Sequence, residues 1–181
     1  MNISNTVFEY KVLSIISMYD GDTVNVLCLR EHEVPEQTID FGFGDVVKIP
    51  AYTITKEIPI KVRMYGFDTP ELNDKRPEWK RAANLARREA RAWMISTLKH
   101  GHLIMITHKD KTGKYGRYLA NFEARRNEFV PRRAEQYIME GTLKDYLIEQ
   151  RLAVPYHGQS KDEIEPAHAE NIKYLKENKL I

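Results

Sequence analysis

Three short polar segments stand at the ends of strand-like stretches and carry residue types suited to charge-based chemistry. They are 20–23 (Asp-Gly-Asp-Thr), 63–71 (an arginine first, Asp-Thr-Pro-Glu last) and 114–117 (Lys-Tyr-Gly-Arg). A strand end can present side chains without losing ladder hydrogen bonds, so functional residues concentrate there. Carboxylates and guanidinium groups from separate segments could therefore meet around a cation and an anion.

The carboxylates favour a hard divalent cation. Asp22 and Asp68 belong to different strand-like stretches, and Glu71 follows Asp68 across a proline. The residue before a proline is held extended, so the main-chain carbonyl of Thr69 could point at a cation. An all-oxygen ligand set suits Ca²⁺ or Mg²⁺ and not zinc. The structural alternative is that the first segment is an ordinary hairpin turn and the second an ordinary helix cap.

The arginines favour an anionic partner. Arg63 lies inside an apolar strand pattern, where a guanidinium needs a counterion, and Arg117 opens a strand after a loop. The planar fork of an arginine matches phosphate oxygens in pairs, which a lysine cannot do. The alternative for Arg63 is internal pairing with Asp68 or Glu71. Strict alternation puts Arg63 and Asp68 on opposite faces, so Gly66 must turn the chain if both serve one site.

The secondary-structure elements that position these residues are predicted to form an α+β fold. The pattern predicts a β-hairpin over 8–30, strands at 60–64, 103–106 and 117–122, and helices at 77–99, 132–151 and 166–178. Residues 31–57 read as an irregular insertion, because the segment is long and rich in glycine and proline. A small antiparallel five-stranded barrel is the natural closure for these strands.

Composition sets the broad class. The 181 residues predict one domain over 1–181, and the net charge of +2 excludes a polyelectrolyte tail protein. Cys28 is the only cysteine, which excludes an internal disulfide and a cysteine-built zinc site. The N-terminal residues lack a secretory signal and no long apolar run occurs, so a cytoplasmic protein with no membrane partner is expected.

The predicted first helix is strongly basic. Its charged residues include Lys75, Arg76, Lys80, Arg81, Arg87, Arg88 and Arg91. Two interpretations stay open: the charges form a solvated helix face, or they also follow a nucleic-acid backbone.

The motifs, taken in order, resemble the staphylococcal nuclease (thermonuclease-like) family. The resemblance rests on 20–23, on 62–71 (Val-Arg-Met-Tyr-Gly-Phe-Asp-Thr-Pro-Glu), on 110–117 and on 152–156 (Leu-Ala-Val-Pro-Tyr). It runs from about residue 8 to the end and skips 31–57 and much of 124–140, which look like insertions relative to the family. Each motif alone is weak, but four in order around a helix are specific.

The resemblance implies a five-stranded antiparallel OB-fold barrel with about three helices, and Ca²⁺-dependent hydrolysis of DNA and RNA, with Mg²⁺ as the alternative ion. It implies that the substrate is single-stranded or flexible. By motif, it implies that Asp22, Asp68 and the Thr69 carbonyl bind the metal, and that Arg63 and Arg117 bind the scissile phosphate. It implies that Glu71 is the general base. Further substrate contacts are assigned to Lys114, Tyr115 and Tyr156. The sequence departs from the family at Gly113, where an acidic residue is usual, and after Tyr156, where no second tyrosine follows two places on.

Two other functions compete with a nuclease. A non-catalytic OB-fold module would bind nucleic acid without turnover. The chain retains Arg63, Arg117 and Glu71, which favours catalysis. An interaction domain would use the 31–57 segment as a protein-binding arm, and this role could also be added to either of the others.

Overall fold

The computed structural model describes residues 8–43, 45–113, 117–126 and 140–181. The strands are β1 (Phe8–Met18), β2 (Thr23–Val34), β3 (Gln37–Asp40), β4 (Val46–Ile49), β5 (Tyr52–Met64), β6 (Phe67–Asp68), β7 (Gly101–Gly113), β8 (Arg117–Arg126), β9 (Gly141–Thr142) and β10 (Val154–Pro155). The helices are α1 (Pro77–His100), α2 (Leu143–Glu149) and α3 (Lys161–Glu177).

Five strands close into a barrel, which confirms the predicted α+β, OB-like fold. The sheet order is β5-β2-β1-β7-β8, and β5 also pairs with β8 to complete the ring. The neighbours pair antiparallel except at this closure, where Val62–Met64 runs parallel to Tyr118–Ala120. The closing pair differs from the uniformly antiparallel barrel that the sequence predicts. Strand directions cannot alternate all the way round a ring with an odd number of members, so one parallel pair is unavoidable.

The core lies inside the barrel and beneath α1. Alternate residues of β2 point inward, and Cys28 is buried with a free thiol, as its isolation in the sequence predicts. Burial raises the pKa of the Cys28 thiol to about 12. The buried face of α1 is formed by Ala82, Ala83, Ala86, Ala90, Trp93, Met94 and Thr97. Small alanine side chains let the helix approach the barrel closely, which fixes the strand ends beside it.

The 31–57 segment is more regular than predicted. The β2–β5 ladder continues outward as far as Val34 opposite Tyr52, and β3 and β4 form a second hairpin beyond it. The expectation of an irregular loop is wrong here because the glycines and prolines fall between the strands and not within their paired parts. The hairpin is exposed along both strands, and Phe41 and Phe43 beyond β3 are also exposed.

Two of the predicted helices have different boundaries. α3 begins at Lys161 and not at Pro166, because Ser160 and Glu163 form a reciprocal capping box at its N-terminus. The predicted helix at 132–151 is confirmed as α2 for its C-terminal part, and residues 127–139 lie outside the described residues. Among the described helices, none combines the length and apolarity needed to cross a membrane.

Candidate functional site

The turn between β1 and β2 buries a carboxylate. The Tyr19 backbone N–H donates to the Thr23 carbonyl oxygen at 2.9 Å, which closes the turn. Within it, the Asp22 N–H donates to Asp20 Oδ1 at 3.3 Å, and the Thr23 hydroxyl donates to Asp22 Oδ1 at 3.2 Å. The Asp22 side chain is only 1% exposed. The segment is therefore a hairpin turn, as the structural alternative held, and it also aims Asp22 inward.

A glycine turn brings the second carboxylate to the same place. Gly66 follows β5 with φ of +87°, a left-handed conformation that favours glycine. The chain then forms β6, which pairs with β10 so that Asp68 lies opposite Val154. This change of direction overrides strand alternation and places Asp68 within reach of Arg63, as the sequence requires for one site. The helix-cap alternative is wrong, because α1 begins only at Pro77.

Arg63 joins the two carboxylates. One guanidinium nitrogen donates to Asp22 Oδ1, and another donates to Asp68 Oδ1 at 2.6 Å. The backbone N–H of Thr69 donates to Asp22 Oδ2 at 3.3 Å. Asp22, Arg63, Asp68 and Thr69 therefore lie together, contributed by a hairpin turn, a barrel strand and the segment after Gly66. The alternative of internal pairing between Arg63 and Asp68 is also observed, and the same guanidinium contacts Asp22.

The two carboxylates have opposite electrostatic environments. Burial raises the pKa of Asp22 well above its usual value, and Asp20 and Asp68 add to this effect while Arg63 opposes it. Burial also acts to raise the pKa of Asp68, but hydrogen bonds from His168 and Arg63 outweigh it and the pKa is lowered. Three neighbouring carboxyl groups thus share one arginine, and a cation would relieve the remaining repulsion.

The residues present fit a hard cation. Thr69 Oγ1 is buried and, within the described residues, has no hydrogen-bond partner, which leaves an oxygen beside Asp22 and Asp68 available to a water or an ion. Carboxylate, hydroxyl and carbonyl oxygens are the ligands that Ca²⁺ takes. No group of three or more His, Cys, Asp or Glu side chains arranged for a metal occurs in the described part of the chain, so the ligand set would rest on Asp22, Asp68 and Thr69, completed by water.

Glu71 lies near Asp68 and Thr69 but is held by α3. It lines a cavity of about 90 Å³ together with Asp68 and Thr69. Its Oε1 accepts a hydrogen bond from Lys161 Nζ at 2.7 Å, and this bond is the main reason why the pKa of Lys161 is raised. Lys161 is the first residue of α3, so the helix tethers the predicted base near the site.

Sequence analysis missed two contributions from α3, Lys161 and His168. The His168 side chain is 5% exposed, and its Nε2 lies 3.1 Å from Asp68 Oδ2. The available signal was helical spacing, because His168 falls four residues after Ile164 and four before Ile172 on the buried face of α3. A histidine on such a face requires a polar partner, and here the partner is the predicted metal ligand.

Arg117 lies in an adjoining groove and not against the carboxylates. The groove measures about 350 Å³ and is lined by Arg117, Lys61, Tyr19 and Thr23 among others. Thr23 connects the two places, since its hydroxyl also bonds Asp22. The parallel pairing of β5 with β8 sets Arg63 opposite Leu119, two residues after Arg117.

The remaining predicted substrate contacts are only partly described. Tyr156 is half-buried directly after β10, and its backbone N–H donates to the Gly66 carbonyl oxygen at 3.0 Å, which places it beside the turn that positions Asp68. Lys114 and Tyr115 lie outside the described residues. Their assignment to a neighbouring phosphate stays a prediction.

Close packing at Gly21 gives a stability prediction. A Cβ added at Gly21 would lie 2.7 Å from Thr69 Cγ2 and 3.0 Å from Thr69 Oγ1. We therefore expect Gly21→Ala to lower the free energy of unfolding by about 1–3 kcal/mol, measured by urea denaturation. In a Thr69→Ala background these two atoms are gone and only the Cβ of residue 69, at 3.1 Å, still lies close, so the added cost should shrink. An equal cost in the two backgrounds would contradict the close approach.

Two comparisons, with protein-family models and with curated proteins, bear on the identity of the chain. No protein-family model matches the chain, and no curated protein matches it. The resemblance to the staphylococcal nuclease family therefore rests on the motifs in the sequence, and the geometry of Asp22, Arg63, Asp68 and Thr69 is the independent observation beside it.

Proposed function

We propose that this protein is a Ca²⁺-dependent phosphodiesterase that hydrolyses DNA and RNA and favours single-stranded or flexible substrate. The observation that carries the proposal is the convergence of Asp22, which lies 41 residues before Arg63, with Asp68, because the Arg63 guanidinium joins both carboxylates. A buried carboxylate pair that needs more positive charge, held by a phosphate-matching fork, suits a site for a cation and a phosphodiester together.

The roles of the residues follow from their positions. Asp22, Asp68 and Thr69 would hold the ion, which when bound supplies positive charge to a phosphate oxygen. Arg63 would exchange part of its pairing with the carboxylates for the phosphate, and Arg117 would contact the same group from the adjoining groove. Both guanidinium groups would stabilise the charge that grows as water attacks phosphorus in line. Glu71 would take the proton of that water, since it borders Asp68 and Thr69 in the shared cavity.

The proposed contacts do not discriminate between the two nucleic acids. Arginine and a hard cation recognise phosphate oxygens, which DNA and RNA share, and such contacts position the backbone without reading bases. The proposal therefore includes both substrates.

The second candidate is a non-catalytic nucleic-acid-binding module on the same barrel. The tether between Lys161 and Glu71 is the observation that favours it, because a base engaged in an ion pair at 2.7 Å must give up that partner in order to act. Turnover separates the two candidates.

Digestion of end-labelled single-stranded DNA and RNA tests the proposal. Cleavage should occur with Ca²⁺ and stop with a chelator, and return when Ca²⁺ is restored. Intact substrate under all of these conditions, combined with retained binding, would establish the binding module in its place.

The same assay tests the placement of Arg117. We expect Arg117→Lys to fold normally and to lose activity by roughly 10²–10³, because one ammonium group cannot reproduce a bidentate fork. A matched control is Arg126→Lys, at the other end of β8, where the side chain forms an exposed pair with Glu140. Equal rates for wild type and Arg117→Lys would show that Arg117 does not contact the reacting phosphate.

A further inference from the structure

One face of α1 carries an arginine stripe. Arg81, Arg88 and Arg91 are exposed and share this face by helical spacing, with Arg87 at its border. They line a groove of about 670 Å³ between α1, the end of β1 and the last residues of the chain. Met18, Leu85 and Leu180 supply apolar surface in the same groove. The feature therefore combines guanidinium groups with an apolar floor.

These arginines are mostly not neutralised by carboxylates. Within the described ranges Arg81, Arg87 and Arg91 make no ion pair, and Arg88 pairs only with the adjacent Glu89, at 3.1 Å. Elsewhere Arg76, Arg125 and Arg126 each contact at least one carboxylate, whereas the exposed Arg30 makes no ion pair within the described residues. A solvated helix face usually alternates its charges, so an unbalanced stripe favours an external polyanion.

The groove shares lining residues with two neighbouring grooves. A second groove of about 460 Å³ shares Arg88 and Arg91 with it and extends to Lys99. The first groove also shares Met18 with the groove that holds Arg117 and Lys61. We name these three grooves together the α1 track. The helix from Arg81 to Lys99 alone covers about 27 Å, at a rise of about 1.5 Å per residue.

The composition of the α1 track fits a single strand better than a duplex. Tyr19, 66% exposed in the groove of Arg117, offers a ring on which an unpaired base could stack. The apolar side chains between the arginines likewise suit bases, which only a single strand leaves unstacked and accessible. Phosphates would meet the arginines and bases would meet the apolar floor.

We propose that the α1 track binds the sugar–phosphate backbone of a single-stranded nucleic acid on one side of the phosphate held near Arg117. The inference rests on the proposed function for the role of Arg117, whereas binding along α1 requires no cleavage. The site would therefore engage a strand several nucleotides long, and substrate length would control affinity.

Binding in the presence of a chelator tests the α1 track without turnover. The probe is fluorescent oligothymidylate of about 20 nucleotides, longer than the roughly 4–16 nucleotides that an OB-fold contacts, and the readout is anisotropy. The test variant is Arg81→Gln/Arg88→Gln/Arg91→Gln. The matched control is Arg30→Gln/Lys80→Gln/Lys173→Gln, which removes the same charge at positions that line none of the three grooves.

Salt titration supplies the expected magnitude. Each phosphate contact to a single strand contributes about 0.7 to the slope of log affinity against log salt, so the test variant should lose about 2 from the slope measured between 50 and 200 mM. At 0.1 M salt this corresponds to about 10²-fold weaker binding. The control should keep the wild-type slope. A test variant with the slope and affinity of the control would overturn the inference.

Turnover and oligomeric state separate the remaining outcomes. With Ca²⁺, the ratio of kcat/KM for the long oligonucleotide to kcat/KM for a dinucleotide should fall about 10²-fold in the test variant. If wild type binds through the α1 track but cleaves neither substrate, the α1 track stands and the proposed nuclease activity fails. If wild type cleaves both substrates and the ratio is the same in the test variant, the proposed nuclease activity stands and the α1 track fails. A wild-type dimer that the test variant abolishes, with no change in DNA binding, would assign the stripe to a second copy instead.

Discussion

Replacement of Arg63 by methionine is expected to lower the free energy of unfolding by about 3–5 kcal/mol, the usual loss when one partner of a buried ion pair is removed. Arg63 contacts Asp22 and Asp68, whose side chains are 1% and 12% exposed. Without the guanidinium, two enclosed carboxylates would face each other, with His168 still beside Asp68. Methionine keeps an unbranched stem but is shorter than arginine, so the loss reports mainly the missing charge together with some lost packing.

Chemical denaturation with an exposed-pair control makes this measurement specific. Arg125→Met removes the pairs of Arg125 with Glu9 and Glu123 at the surface and should cost only about 0–1 kcal/mol. Equal losses for the two variants would contradict a structural role for the buried pair.

Added Ca²⁺ tests the same carboxylates as ligands. A ligand at 100 times its dissociation constant stabilises the folded state by about 2.7 kcal/mol. Ca²⁺ should stabilise the wild type, and it should restore part of the stability that Arg63→Met loses, because the ion would replace the missing positive charge. If Ca²⁺ raises the stability of neither protein, Asp22 and Asp68 do not form a Ca²⁺ site.

The convergence of the central residues was partly predictable from local signals. In the Asp-Gly-Asp turn the Asp22 backbone N–H donates to the Asp20 side chain, and Gly66 is the residue that allows Asp68 to leave strand alternation. An arginine within an apolar strand must find a counterion nearby. These constraints act over a few residues, whereas Asp22 and Arg63 are 41 residues apart and are brought together by the pairing of β2 with β5, which sets Thr23 opposite Arg63. A small barrel follows from the number and order of the strands, and its OB-like type is what the family resemblance implied.

The contribution of α3 was not predictable from local signals. His168 and Lys161 are 100 and 90 residues from the side chains that they contact. Their positions depend on how α3 packs. The predicted start of this helix at Pro166 is wrong because the Ser160 capping box begins α3 at Lys161. The 31–57 segment was misjudged because its glycines and prolines lie between the strands, so they do not interrupt the ladder between β2 and β5.

Replacement of Glu71 by glutamine is expected to lower the rate of single-strand cleavage by about 10²–10⁴, the usual loss of a general base. Glutamine keeps the size of the side chain, and its amide oxygen can still accept the hydrogen bond from Lys161. The Glu71 side chain is 41% exposed, so its ion pair contributes little to stability and the variant should unfold at nearly the same urea concentration. Initial rates with saturating Ca²⁺ provide the measurement.

The ion pair between Lys161 and Glu71 allows the role of Glu71 as a base to be separated from its role in positioning α3. Lys161→Met removes the partner and leaves the carboxylate, so it should retain much more activity than Glu71→Gln if Glu71 accepts the proton. If both variants lose activity equally, the ion pair itself is what the site requires, and Glu71 acts by anchoring α3 with its His168 against Asp68. If Glu71→Gln cleaves at the wild-type rate, the proton of the attacking water goes to another group. The pair of variants therefore decides whether the contact at 2.7 Å restrains a base or builds the site around the carboxylates.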